Sequence, residues 1–315
     1  MIRKNLKVYR RFLQIFLLIL LLAFLLDALT GFLIRRLFEK QTSGTLYETT
    51  FALDNANSDI VILGSSRAKF HFVPDVFEKE LKMSCYNCGR NGSSILYHYA
   101  VFKSIVSRYK PKMIILETGP DDLVYSKEDY DGLKVLFPYY SYHPEIRKVI
   151  ELQGKYTKLK LCSSLFRYNP RILEIVLNSQ DWYKKRYLNK RVYKGYTPIF
   201  TRMKVKNLLP EWGVGNPVDL EKVKFIESMI QYCKSYHINF FLVGSPMFIK
   251  SGKSPASGVL SRMVKQYGIE YWDYSNDAAF VDDPACFADP IHMNNRGAMK
   301  LSQLITNRIK DKIMK

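Results

Sequence analysis

The sequence is short of the residues that build metal and phosphate sites. It holds five cysteines in 315 residues, an odd number, and the closest pair, Cys85 and Cys88, falls in a stretch that reads as a strand. Three strand residues span about 10 Å, beyond the roughly 7 Å Cα separation that a disulfide tolerates. No second Cys/His pair at ligand spacing accompanies them, which argues against zinc and leaves the five as free thiols. The chain has neither the Gly-Lys-Ser/Thr ending of a P-loop nor a dinucleotide fingerprint, and no metal or cofactor is implied. Internal repeats and low-complexity segments are also missing, and with 47% hydrophobic residues the chain folds.

Acidic residues are scarce as well: 29 Asp and Glu face 48 Lys and Arg, a net charge of +19. The excess is local. The first forty residues carry eight bases and two acids, a net +6, and residues 123–215 carry 18 bases against 8 acids, a net +10. That second block also holds 11 of the 22 tyrosines and lacks clean strand–turn–helix units. It reads as a mostly helical insertion. Its plain reading is a solvated basic face with tyrosines packed beneath; its functional reading is a surface for anionic lipid headgroups or an anionic glycan. Nucleic acid would suit the charge but not the compartment deduced next.

Residues 12–34 are almost wholly apolar, broken only by Gln14, Asp27, Thr30 and Gly31. At about 1.5 Å per residue they suffice to cross a ~30 Å hydrocarbon core. The run is too long for a signal-peptide core and no Ala-x-Ala site follows it, so a retained transmembrane helix is expected. Arg3, Lys4, Lys7, Arg10 and Arg11 before it outnumber Arg35, Arg36 and Lys40 after it, which places residues 1–11 in the cytoplasm and the folded domain outside, on the cell membrane. Asp27 is either an interfacial residue near the outer end or a polar contact with another membrane protein, because an unpartnered carboxylate in lipid is costly. Residues 35–58 read as a linker, polar from 41 onward, and residues 59–315 as the folded domain.

Within that domain an apolar strand, residues 60–63, stops at Gly64-Ser65-Ser66. A second strand around Cys85, Tyr86 and Asn87 ends at Gly89-Arg90-Asn91-Gly92, after which Ser93 or Ser94 can cap a helix over 95–109. A third, 113–116, runs into Glu117-Thr118-Gly119-Pro120-Asp121-Asp122. After the basic block, helices over 219–236 and 257–267 alternate with strands over 238–243 and 269–272. Asp289-Pro290-Ile291-His292 then precedes Asn294-Asn295, a helix cap, and an amphipathic terminal helix. Strands ending in small or polar loops give an α/β pattern that gathers a site along one sheet edge.

A turn such as Gly64-Ser65-Ser66 holds either a nucleophile or a phosphate, and the missing P-loop residues leave the nucleophile. Asp289 three residues before His292 can set a carboxylate beside an imidazole, fixing its tautomer as a serine enzyme requires. Four blocks in order, Gly64-Ser65-Ser66, Asn87-Cys88-Gly89, Gly119-Pro120-Asp121-Asp122 and Asp289-x-x-His292, resemble those of the SGNH/GDSL hydrolase superfamily. The anchor and the Gly-Ser-Ser form resemble its membrane-anchored branch, which includes the teichoic acid D-alanyl transfer protein and exopolysaccharide acetylation proteins. The resemblance covers roughly residues 58–122 and 220–315.

This resemblance implies a three-layer αβα, flavodoxin-like domain with a parallel sheet. It makes Ser66 the nucleophile, His292 the general base and Asp289 its orienting carboxylate, with the N–H groups of Ser66 and Gly89 as oxyanion donors. Asp121 stands where the family usually has an Asn whose amide donates to the oxyanion; an ionised Asp121 would repel it, so either backbone donors suffice, or Asp121 is protonated, or the loop serves otherwise. Arg67 and His71 read as structural, though Arg67 beside the nucleophile can hold an anionic part of a substrate. The implied activity is serine O-acyl transfer or ester hydrolysis on a cell-envelope glycan or glycopolymer. Tethering favours transfer, with a multispanning membrane acyltransferase as partner. A stand-alone esterase and a non-catalytic glycan-binding protein are the competing readings.

Overall fold

The computed structural model describes residues 2–185, 192–204, 216–248, 254 and 256–313. Five strands form one sheet: β1 (Ile60–Leu63), β2 (Cys85–Asn87), β3 (Met113–Glu117), β4 (Asn239–Gly244) and β5 (Glu270–Asp273). All four pairings are parallel and the order is β2-β1-β3-β4-β5. This is the expected α/β architecture.

Short apolar runs make the strands because both faces of the sheet are covered, and strand residues alternate between them. Val61, Leu63, Ile114, Leu116, Phe240 and Leu242 face one core with the helices Ile95–Arg108, Leu220–Ser235 and Ser257–Tyr267. Ile60, Ile62, Met113, Ile115, Phe241 and Val243 face the other, which contains Leu301, Ile305 and Ile309 of the terminal helix Asn295–Ile313 and Phe77 of the helix Pro74–Leu81. Three layers result. The strand order reverses between β1 and β3, and in such sheets the crevice beyond the strands' carboxyl ends at that point is where ligands bind.

The insertion leaves and rejoins the domain through one neck. Val124 bridges Val218, the Tyr125 N–H donates to Pro217 O at 2.8 Å, and the Asp219 N–H donates to Leu123 O at 2.8 Å. Its described part is short helices and 3-10 turns, among them Lys127–Gly132, Thr157–Lys160 and Ile172–Asn178. Leu136, Tyr139, Ile150, Tyr168 and Ile175 are buried in the same core as the helix Ile95–Arg108, so the block extends that core. Residues 186–191 and 205–215 of the block lie outside the described residues.

The expected linker is corrected. The first helix runs Ile2–Glu39, and Gly44–Thr50 with Phe51–Asn55 form further helical turns that bury Leu46, Thr49, Ala52 and Leu53. Those four positions share one face, so a segment polar on average still has a buried stripe. The Tyr97 hydroxyl donates to Thr49 Oγ1 at 3.2 Å and the Ser104 hydroxyl to Leu53 O at 2.9 Å, which fastens it to the helix Ile95–Arg108.

Candidate active site

Gly64 ends β1 with φ +146, and a Cβ there would stand 2.7 Å from both Ala68 Cβ and Glu117 Cβ. Only glycine makes this tight exit, after which the chain turns directly into the helix Ser66–His71. Ser65 is its N-cap: its Oγ accepts from the Arg67 N–H. Ser66, the first helical residue, points elsewhere.

His292 Nε2 lies 2.8 Å from Ser66 Oγ, and His292 Nδ1 lies 2.9 Å from Asp289 Oδ2. Since an ionised carboxylate only accepts, Nδ1 carries the ring proton and the Nε2 lone pair receives the Ser66 hydroxyl. Asp289 is itself held: its Oδ1 accepts the N–H groups of Ile291, at 2.9 Å, and His292, at 2.8 Å. Burial works against the Asp289 charge, but the bonds to His292 and to these two N–H groups outweigh it and lower the pKa below the usual carboxylate value. Phe70 meets the His292 ring edge-on, with centroids 5.1 Å apart. The loop is fixed from the terminal helix, where Asn294 accepts from the Gly297 N–H and donates to Ala285 O and Phe287 O.

These groups open into a cavity of about 570 Å³ whose wall includes Ser66, Ser93, Asp121, Tyr125, Met247 and His292. Three of the four blocks meet there: the first, the third and the last. The second contributes differently from expectation. The Gly89 N–H donates to Asn87 Oδ1 at 2.8 Å, while the Asn87 amide donates to Ala68 O and Phe72 O. Gly89 is therefore a structural partner of Asn87 and not an oxyanion donor, and it does not line the cavity. Gly92, Ser93 and Ser94, three to five residues further on, do. The signal for Gly92 lay in the repeat of glycine within one turn, Gly89-Arg90-Asn91-Gly92.

Arg67 takes the structural role and not the substrate-binding one that its place beside the nucleophile also left open. Its Nε lies 2.8 Å from Glu117 Oε1 and its Nη2 contacts Asp122 Oδ2. Asp122 Oδ2 also accepts the Gly119 N–H at 2.7 Å. The guanidinium is thus taken by two protein carboxylates and ties the end of β1 to the loop after β3. Burial opposes its charge, but Asp122 and Glu117 together raise its pKa, so it stays ionised. One guanidinium does not neutralise two carboxylates, and Glu117, the fully buried one, is pushed up to about 7, chiefly by desolvation. Glu117 closes an otherwise apolar strand, so residue order alone does not mark its chemistry.

Asp121 lines the cavity wall, and burial raises its pKa from the ordinary value. Its Oδ1 is buried with no hydrogen-bond partner among the described residues. His71 is structural, as expected: fully buried, its Nε2 accepts the Met293 N–H at 3.0 Å, and desolvation keeps the ring neutral.

No protein-family model matches this chain, and no curated protein matches it. Among solved structures it is similar to a Bacteroides fragilis protein assigned as an acylhydrolase, with 13% identity and a TM-score of 0.39 over 80% of this chain and 86% of that one. It is also similar to AlinE4, an SGNH-hydrolase family esterase, with 13% identity and a TM-score of 0.36 over 82% of this chain and 97% of that one. A gut microbial diltiazem-metabolizing enzyme shares 14% identity and a TM-score of 0.36 over 79% of this chain and 46% of its own.

Proposed function

We propose that this chain is a membrane-anchored serine acyltransferase or esterase of the SGNH/GDSL type, acting outside the cytoplasm on acyl groups of a cell-envelope glycan. One observation carries the reading: the Ser66 hydroxyl, the His292 ring and the Asp289 carboxylate stand in line at 2.8 and 2.9 Å. Ser66 Oγ attacks the acyl carbonyl as its proton passes to His292 Nε2, and Asp289 stabilises the imidazolium. The ring then returns the proton to the leaving oxygen, and the acyl group rests on Ser66. In the second half-reaction His292 deprotonates a sugar hydroxyl or water, which attacks the ester and frees Ser66. The Ser66 N–H, with donors from the Gly92–Ser94 turn, is the oxyanion site this geometry favours.

The apolar helix favours a substrate at the membrane. Lys7–Glu39 is long and apolar enough to span one, and its most apolar stretch is not buried by the domain. Transfer, with a multispanning acyltransferase as acyl donor partner, is the reading we favour over hydrolysis alone. A serine-reactive phosphonate should label the purified full chain and not Ser66→Ala. With an acyl ester and a glycan acceptor, acyl transfer should exceed release to water. Fast release with no transfer would leave the esterase; no labelling at all would leave a non-catalytic binding protein.

A further inference from the structure

The N-terminal helix does not stand clear of the domain that follows it. At 1.5 Å per residue a ~30 Å hydrocarbon core takes about 20 residues, so lipid that begins at Phe12 ends near Gly31. Asp27 and Gly31 lie in that last stretch, and residues 163–165 of the basic insertion touch both. The Asp27 carboxylate accepts hydrogen bonds from the Ser163 hydroxyl, the Ser164 N–H at 2.7 Å and the Leu165 N–H at 3.2 Å. A Cβ on Gly31 would stand 2.5 Å from Ser164 Cβ, so only glycine admits the turn this close. Asp27 therefore has its partner within the chain, which answers the question its position raised. Further along the helix, the Phe38 ring lies 5.6 Å from Tyr139 and 5.7 Å from Tyr168, and the contact continues to Gln41, whose amide reaches Ile175 O at 3.5 Å.

This fastening sets a turn of the insertion at lipid depth. The helical turns on either side of it, Thr157–Lys160 and Ile172–Asn178, carry exposed apolar side chains: Leu159 is 71% exposed and Leu173 69%, and Tyr156, just ahead of the first turn, is 59% exposed with the Lys155 ammonium 5.5 Å over its ring. Lys155, Lys158 and Lys160 are exposed among them. Apolar groups interleaved with lysines, next to a membrane-spanning helix, suit the boundary between acyl chains and anionic headgroups.

We propose that residues 155–176 are seated in the membrane surface on the domain's side, with Tyr156, Leu159 and Leu173 in the acyl boundary and the lysines at lipid phosphates. The inference rests on the reading that the first helix spans the membrane. It turns that helix from a flexible tether into one of two attachments, which together fix the height and tilt of the Ser66 cavity over the bilayer.

Cys162 is exposed and the other four cysteines are buried, so a thiol-reactive fluorophore selects it. The labelled full chain, in vesicles of anionic phospholipid with a nitroxide near the top of the acyl chain, should lose most of its emission. The same label at Leu159→Cys, in a Cys162→Ser background, should do likewise. Leu22→Cys in that background, read with the nitroxide moved to the methyl end of the acyl chain because ten residues at about 1.5 Å each put Leu22 near the bilayer centre, marks the spanning helix. If the Leu22 label is quenched and the Leu159 label is not, the segment stands off the membrane and the proposal is overturned. If the Leu22 label is not quenched, the spanning reading fails and the proposal falls with it.

Discussion

Arg67 and Glu117 meet at 2.8 Å directly behind the serine turn, the first from the helix after β1 and the second from the last position of β3. Asp122 completes the cluster from the loop that also carries Asp121. The site's two walls are therefore held by charge as well as by the sheet. Removing the arginine leaves two carboxylates facing each other in a buried position. Arg67→Ala should destabilise the chain by about 3–5 kcal/mol, read as a shift of the urea midpoint for the full chain in detergent. Arg67→Lys should recover only part, because one ammonium does not span both carboxylates in a planar fork.

Glu117 gives the protein a pH dependence of definite sign. Its pKa in the fold, about 7, stands above the ordinary carboxyl value. The stability it contributes is complete below that ordinary value and is lost as pH rises through about 7. The melting temperature should fall between about pH 5 and pH 8, and Glu117→Gln, neutral throughout, should flatten that fall. A wild-type curve that does not decline over this window would show that Arg67 keeps Glu117 ionised at all pH values.

The two neighbouring serines should separate cleanly. Ser65 Oγ caps the helix and lies 3.5 Å from Glu117 Oε2, whereas Ser66 Oγ faces His292. Ser65→Ala should cost about 1 kcal/mol of stability and keep most of the activity, while Ser66→Ala abolishes the acyl-enzyme. Asp289→Asn should lower kcat on the order of 10⁴-fold, because an amide facing Nδ1 no longer dictates the tautomer. Steady-state ester turnover with each variant checks all three.

Much of this arrangement is legible from residue order alone, for a physical reason. Parallel strands buried on both faces are continuous apolar runs, so β4 and β5 are expected at 238–243 and 269–272 and stand one residue along, at Asn239–Gly244 and Glu270–Asp273. The loops after β1 and β3 follow from the same runs. What the residue order hides is which atom a polar group bonds. Gly89 and Gly92 share a turn, and only the Asn87 side chain, reaching back to the Gly89 N–H, decides that Gly92 lines the cavity. Residues 41–58 hide their role because a few buried positions, Leu46, Thr49 and Leu53, carry a stretch whose average is polar.

Asp121 offers the last test. It lies in the cavity wall with Ser66 and His292, burial raises its pKa, and one of its carboxylate oxygens has no partner among the described residues. A neutral carboxyl can donate to a developing oxyanion, as an amide does; a carboxylate opposes it. If Asp121 acts as that donor, turnover should decline as pH rises through its raised pKa. Asp121→Asn keeps a donor at every pH, so the decline should vanish and the alkaline rate should increase. Asp121→Ala, which removes donor and charge together, separates the effects: if it matches Asp121→Asn at all pH values, the gain came from losing the charge and backbone donors carry the oxyanion.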